Sequence, residues 1–308
     1  MTAVRSVTVH CPATTANLGP GFDCLGLALD LSNETRFAFD GEGIGVAVSG
    51  EGAGTLPSDS SNLVAQAALR LFDVAGHRPP RGLRIDCTVR IPLASGLGSS
   101  SAAIVTGLLG ANALLGAPLG RDRLLDLAAD IEGHPDNVAA ALLGGLVIVV
   151  RKGERLLTKR IMLPDIHVAL AVPALEFSTK TARAGLPAAV SLQDAVFNLG
   201  RTPLVVEALR TADFDLLGAV MDDRLHQASR LKLIKGGRAA WLAAEKAGAA
   251  AVAVSGSGPS LIAFVGLATD AAAVAQVMAD VFAAEGVAAR PLSLMASAEG
   301  AHVVEVPA

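Results

Sequence analysis

The chain has 308 residues, 52% of them apolar and 18% charged, with a formal net charge of −4. Two domains are the starting expectation for that length, and the composition excludes a disordered chain. The acidic balance, the lack of any Lys/Arg cluster of five or more, and aromatics at 3% with no Tyr exclude a basic groove or stacking platform for nucleic acid.

The N-terminal stretch has no apolar core behind its first charge, so it reads as a first strand, "SVTVHCPA", and not as a leader peptide. Further β-rich stretches follow between glycine turns, "TRFAFDGEGIGVAVSGEG" and "LRIDCTVRIPL". Between them, 61–75 sets Leu63, Ala67, Leu71 and Val74 at helical spacing behind the cap candidates Ser60 and Ser61. A helix from Ser101 carries the stripe Ile104, Leu108, Ala111 and Leu115, and a second over 121–132 turns Leu124, Leu127 and Ile131 inward. This is a sheet with helices packed on it.

"LLGGLVIVVRKGER" reads as a strand and turn closing the first unit, with the boundary in the charged stretch 151–160. Beyond it come a strand at "HVALAVPA", helices over 192–210, 214–227 and 239–247, and "AAVAVSGSGPSLIAFV", a strand broken by its own glycine loop. A helix at 270–285 and the strand-like "AHVVEV" follow. The uncharged runs 102–120 and 247–269 reach membrane-span length. Both are broken by Gly, Pro, Ser, Thr or Asn and lack basic or aromatic flanks, so they read as buried segments. Cys11, Cys24 and Cys87 are odd in number and too widely spaced for a zinc site, which makes them buried reduced thiols of a cytoplasmic protein.

The chemistry concentrates in three glycine loops. In "IPLASGLGSSSAAIV" (91–105), a glycine-rich loop leads from an extended segment into a helix, and such a loop offers phosphate a concave row of N–H groups. Its serines add hydroxyls for phosphate or Mg²⁺; taken alone, the stretch reads first as a serine-capped strand-to-helix turn. It matches neither GxxxxGK[ST] nor GxGxxG, so ATP held here is held without a loop lysine. "PATTANLGPGFDCLGLAL" (12–29) sets Asn17 and Asp23 around a Gly-Pro-Gly turn, and "VSGSGPSL" (254–261) interrupts an apolar strand where interior Gly and Pro mark close backbone approach.

Taken in order, these loops resemble the three signature motifs of the GHMP kinases, the family named for galactokinase, homoserine kinase, mevalonate kinase and phosphomevalonate kinase. "GPGFD" with its flanking Asn17, together with "EGHPDNVAAALLGG", "STKTARAGLP" and "SLQDAVFNLGRTPLVVEAL", is most similar to the homoserine kinase branch, and the resemblance spans nearly the whole chain. It implies an α+β, two-domain GHMP kinase fold: a ribosomal-protein-S5-like ATP-binding domain over 1–155 and a ferredoxin-like domain over 156–308, with ATP and substrate between them.

By the same resemblance, ATP is bound by Pro92, Leu93, Ala94, Ser95, Gly96, Leu97, Gly98, Ser99, Ser100, Ser101 and Ala102, with Asn62 near the adenine. Mg²⁺ falls to Glu132 and a loop serine, Ser99 or Ser100 with Ser100 preferred, a carboxylate and a hydroxyl that form a hard but incomplete oxygen shell. L-homoserine would be held by Arg183 and Arg230 on its carboxylate, by Asp23 with Asn17 and His134 on its ammonium, and by Asn137 on its hydroxyl, with Thr179 and Gly256 lining the pocket. The implied reaction is in-line attack of that hydroxyl on the γ-phosphorus, a step of threonine biosynthesis. Homoserine kinases manage without a dedicated base, and Asp136 beside Asn137 keeps that question open. After "LHQASR" the chain reads "LKLIKGG", where relatives carry aromatic and Pro-Gly residues, so the wall beyond Arg230 departs from the family. The alternatives are another GHMP kinase with a mevalonate-type or sugar substrate, which needs no ammonium partner, and a binding protein that has kept the fold. Neither a nucleic acid nor a membrane is expected as partner, and a homodimer is left open.

Overall fold

The computed structural model describes residues 6–153, 155–175 and 179–305, with the backbone alone at 179–181 and 305. Strands β1 (Ser6–Ala16), β2 (Leu25–Ala38), β3 (Gly43–Gly50), β4 (Gly82–Val89), β5 (Leu146–Lys152) and β6 (Arg155–Ile161) build a first sheet. Helices α1 (Leu63–Val74), α2 (Ser99–Leu114), α3 (Arg121–Glu132) and α4 (Asp136–Leu143) belong to the same half. Then follow β7 (His167–Pro173), α5 (Thr179–Ala184), α6 (Leu192–Thr211), α7 (Phe214–Val220), α8 (Gln227–Leu231), α9 (Gly237–Lys246), β8 (Ala251–Val254), β9 (Leu261–Val265), α10 (Ala271–Ala284), β10 (Ala289–Met295) and β11 (His302–Glu305).

The first sheet runs β11-β1-β2-β4-β3, with β5 paired to β2 and β6 to β5; only β3 and β4 are parallel. The second is antiparallel, in the order β10-β7-β9-β8. Its one face is covered by α9 and α10 through Ala240, Trp241, Val274, Met278 and Phe282, whereas Val168, Leu170, Ile262 and Phe264 on the other join the main core. Helices and antiparallel strands in two layers make an α+β fold.

The apolar run 102–120 is the central helix α2, buried on nearly every side. Close packing there requires Gly107: an added Cβ would lie 2.3 Å from the Val64 carbonyl oxygen of α1. The run 247–269 is the buried hairpin β8–β9 and its flanks. No helix among the described residues is long and apolar enough to cross a membrane.

Several expectations need correction. The 155/156 boundary falls inside the β5–β6 hairpin, where Lys152 faces Arg155, so the first sheet continues to Ile161 and later takes back 302–305. The helix expected over 214–227 stops at Val220, and Asp223 accepts the N–H groups of Leu225, His226 and Gln227 in the turn that leads into a separate short helix, α8. Cys11 and Cys87 are buried thiols, but Cys24 is only half-buried. Five elements went unread, namely the first half of β2, α4, β6, α5 and β10.

Candidate active site

A cavity of about 520 Å³ opens where the three glycine loops meet. The first loop leaves β4 and enters α2. The Pro92 carbonyl accepts the Ser95 hydroxyl at 2.8 Å, and the Leu97 carbonyl accepts the Thr14 N–H at 3.0 Å. Gly98 caps α2 with φ +69°, and a Cβ there would lie 2.0 Å from Thr14 Oγ1, so only glycine fits. No side chain caps α2, which leaves its first-turn N–H groups without a side-chain acceptor where Ser99, Ser100 and Ser101 line the cavity. Leu93, Ala94, Ser95, Gly96 and Gly98 line it too, while Pro92, Leu97 and Ala102 form the buried underside of the loop.

Toward one end the wall is largely apolar, with Val48, Leu56, Leu63, Val64 and Val89. Asn62 belongs to it but is committed locally: as N-cap of α1 its Oδ1 accepts the Val64 N–H at 3.0 Å, and its Nδ2 donates to the Pro57 carbonyl at 2.8 Å.

The third loop braces the first. The Ser255 hydroxyl donates to the Gly96 carbonyl at 2.8 Å, and the Ser260 N–H reaches the Ser95 carbonyl at 3.2 Å.

At the floor, Glu132 ends α3, and the Ser100 and Ser101 hydroxyls donate to its Oε1 at 2.6 and 2.7 Å. Gly133 then turns the chain in a left-handed conformation, delivering His134 and the start of α4 to the same place. His134 Nδ1 lies 2.9 Å from Asp136 Oδ1, and its Nε2 lies 3.8 Å from Glu132 Oε1. Burial alone would lower the imidazole pKa, but the Asp136 hydrogen bond and the charges of Asp136 and Glu132 outweigh it and raise the value. Asp136 Oδ1 also accepts the Asn137 N–H at 2.9 Å, and Asn137 Oδ1 accepts the Thr14 hydroxyl at 2.8 Å.

The other end is charged. Asn17 and Asp23 both hold left-handed backbone, at φ +71° and +56°, a conformation that short polar side chains tolerate. Asn17 Nδ2 donates to the Gly256 carbonyl at 2.7 Å, while its Oδ1 accepts the Asp23 N–H at 3.0 Å. Both oxygens of Asp23 accept from Arg183, at 2.9 and 2.7 Å, and this fork raises the pKa of the guanidinium.

Arg230 differs. It is 2% exposed and donates through Nη1 to the Gly256 carbonyl at 2.8 Å, and burial pushes its pKa down to about 10. It forms no ion pair among the described residues, and its buried Nε has no partner. Both arginines stand over the Phe22 ring, at 5.7 and 5.3 Å. Thr179 begins α5, and its side chain lies outside the described residues.

Thus Asn17, Asp23, Glu132, His134, Asp136, Asn137, Arg183, Arg230 and Gly256 line one cavity together with the phosphate-loop candidates. Sequence reasoning missed Thr14, Phe22 and Ser255, although all three lie inside its motifs. It also missed His226, one step from the "QASR" that carries Arg230. For His226 the chain offers no local signal, since a buried imidazole and an exposed one look alike in a sequence.

The arrangement joins a helix N-terminus fit for polyphosphate to a pocket with cations and an anion. A family model for the GHMP kinases N terminal domain matches residues 62–145, and one for the GHMP kinases C terminal matches 205–284. The chain is 48% identical over 257 residues to a homoserine kinase of Moorella thermoacetica, covering 83% of this chain and 86% of that protein. It is 44% identical to a homoserine kinase of Synechococcus sp. strain CC9311, covering 97% and 96% of the two. The crystal structure of a homoserine kinase from Cytophaga hutchinsonii superposes with a TM-score of 0.87 at 33% identity, covering 99% of each chain.

Proposed function

The chain belongs to the homoserine kinase branch of the GHMP kinase family, and from that premise we propose how its cavity carries out the reaction. It is an ATP-dependent kinase that phosphorylates the side-chain hydroxyl of L-homoserine to O-phospho-L-homoserine, the class of step that commits this amino acid to threonine. The observation that carries the reading is one cavity holding both an uncapped helix N-terminus and the charge set of an α-amino acid.

The loop 92–102 and the α2 N-terminus take the ATP phosphates, neutralising charge with N–H groups in place of a loop lysine. The apolar wall beside Asn62 takes the adenine. Arg230, with Arg183, holds the homoserine carboxylate, and Asp23 the ammonium, supported by Asn17 and His134, with Thr179 and Gly256 beside them. Asn137, held by Thr14, orients the hydroxyl for in-line attack on the γ-phosphorus, with ADP as the leaving group and the hydroxyl proton passing to an oxygen of the transferred phosphoryl group. Asp136 is committed to the His134 ring and the Asn137 N–H, which suits a positioning group better than a general base.

Glu132 with the Ser100 hydroxyl is a hard oxygen pair of the kind Mg²⁺ takes, so the residues present fit that ion. When bound, it would supply positive charge to the phosphate oxygens. Ser101, at equal reach of Glu132, is a second candidate ligand. The units we propose are a first built on residues 6–161 with 302–305 and a second built on 162–301.

A coupled ADP-release assay across L-homoserine, mevalonate, galactose and L-threonine tests the reading. Turnover is expected on homoserine. Turnover only on an alcohol without an amino-acid head would overturn it in favour of a mevalonate-type or sugar kinase, a reading disfavoured by the anion Asp23 in the pocket.

A further inference from the structure

Arg230 is a guanidinium in an expensive position. Burying a cation is costly unless it is paired, yet its partners are neutral: the Gly256 carbonyl and an imidazole nitrogen. That imidazole is His226, itself 1% exposed, and its Nδ1 lies 3.0 Å from Arg230 Nη1. Its Nε2 lies 2.8 Å from the Gly19 carbonyl, which can only accept, so Nε2 carries the hydrogen and Nδ1 is left as the acceptor. Arginine can only donate, so both contacts are satisfied by a single tautomer.

We propose that His226 is the positioning residue of the carboxylate-binding arginine: tethered to the Gly19 carbonyl, it presents Nδ1 to Arg230 and fixes the plane of the guanidinium toward the substrate. The inference rests on the homoserine kinase reading of the cavity. Three surrounding features support it. Phe22 stacks on the His226 ring at 5.1 Å and lies under both guanidinium groups, so ring and cation share one apolar platform. Asp223 anchors the segment that carries His226 by accepting three backbone N–H groups and the Asn198 amide. Burial and the neighbouring Arg230 charge lower the imidazole pKa, against the opposing charges of Asp223 and Asp23, to about 4, so the acceptor persists at neutral pH.

A second consequence is a division of labour between the arginines. Arg183 is already neutralised by Asp23, whereas Arg230 has its charge uncommitted and its direction set by a group that never touches substrate.

The test compares two amides that each keep one half of the imidazole. His226→Gln retains a donor near the Nε2 position and loses the acceptor; His226→Asn retains an acceptor near Nδ1. We expect His226→Gln to raise the homoserine KM about tenfold or more, with kcat and the ATP KM within about twofold, and His226→Asn to recover most of that loss. In a double-mutant cycle, adding His226→Gln to Arg230→Gln should change the homoserine KM by less than about twofold, because the histidine acts only through the arginine. Equal damage by both amides, a homoserine KM within about twofold of wild type for His226→Gln, or independent effects in the cycle would each overturn the assignment. Should a variant fail to fold, ¹⁵N NMR of the wild-type imidazole decides: a proton on Nε2 is required, and a proton on Nδ1 refutes the proposal. Turnover of homoserine by the wild type checks the underlying reading separately.

Discussion

The two ends of the cavity are made in opposite ways. The end we propose for phosphate is one continuous stretch, 92–102, which offers backbone N–H groups and short hydroxyls. The amino-acid end is assembled from side chains that the chain brings together from far apart, Asn17 reaching Gly256 across 239 residues and Arg183 reaching Asp23 across 160. An end built from backbone tolerates substitution except where a side chain would intrude on the main chain. An end built from charged side chains depends on each one, and on whatever holds it in place.

Three substitutions sharpen that contrast. The largest effect is expected of Gly98→Ala, where the new Cβ would stand 2.0 Å from Thr14 Oγ1 and displace the start of α2. Its kcat should fall by about 10²–10³, the range for losing one preorganised donor, in steady-state assays on protein whose melting temperature confirms the fold. Next comes Arg183→Ala, which should raise the homoserine KM by roughly 10- to 150-fold with little change in the ATP KM, as expected for about 1.5–3 kcal/mol of charged hydrogen bonding. An unchanged homoserine KM would remove Arg183 from the clamp. The smallest is Asp136→Asn, expected to lower kcat by less than about tenfold; a loss of 10²–10⁴ would make it a general base.

The same contrast explains what could be read in advance. Loop 92–102 was legible as a loop entering a helix because glycine, serine and a helix start are local signals, and the resemblance singled out the distant residues that line the same cavity. Elements lacking such signals were not. The first half of β2, "LGLALDLS", places Leu25, Leu27, Leu29 and Leu31 at strand period, yet it holds no β-branched or aromatic residue, the other half of a strand signal. Helix α4 starts at Asp136 behind Pro135 and is mostly alanine and leucine, buried throughout the part that a helical stripe would leave polar. The expected long helix over 214–227 failed at Asp223, whose carboxylate found backbone donors of its own; that competition depends on the tertiary placement of Asn198. His226 and the uncommitted charge of Arg230 exist only once three segments meet.

The first sheet is completed by a strand far along the chain from its neighbour. β11 covers the outer edge of β1, and Arg121 ties the approach to it down by donating to the carbonyls of Leu142 and Ala301. During synthesis, therefore, the sheet that leads into loop 92–102 keeps the β1 edge unpaired until residues 302–305 are added. An edge of that kind is a template for foreign strands, so a nascent chain is open to mispairing along β1 until β11 docks.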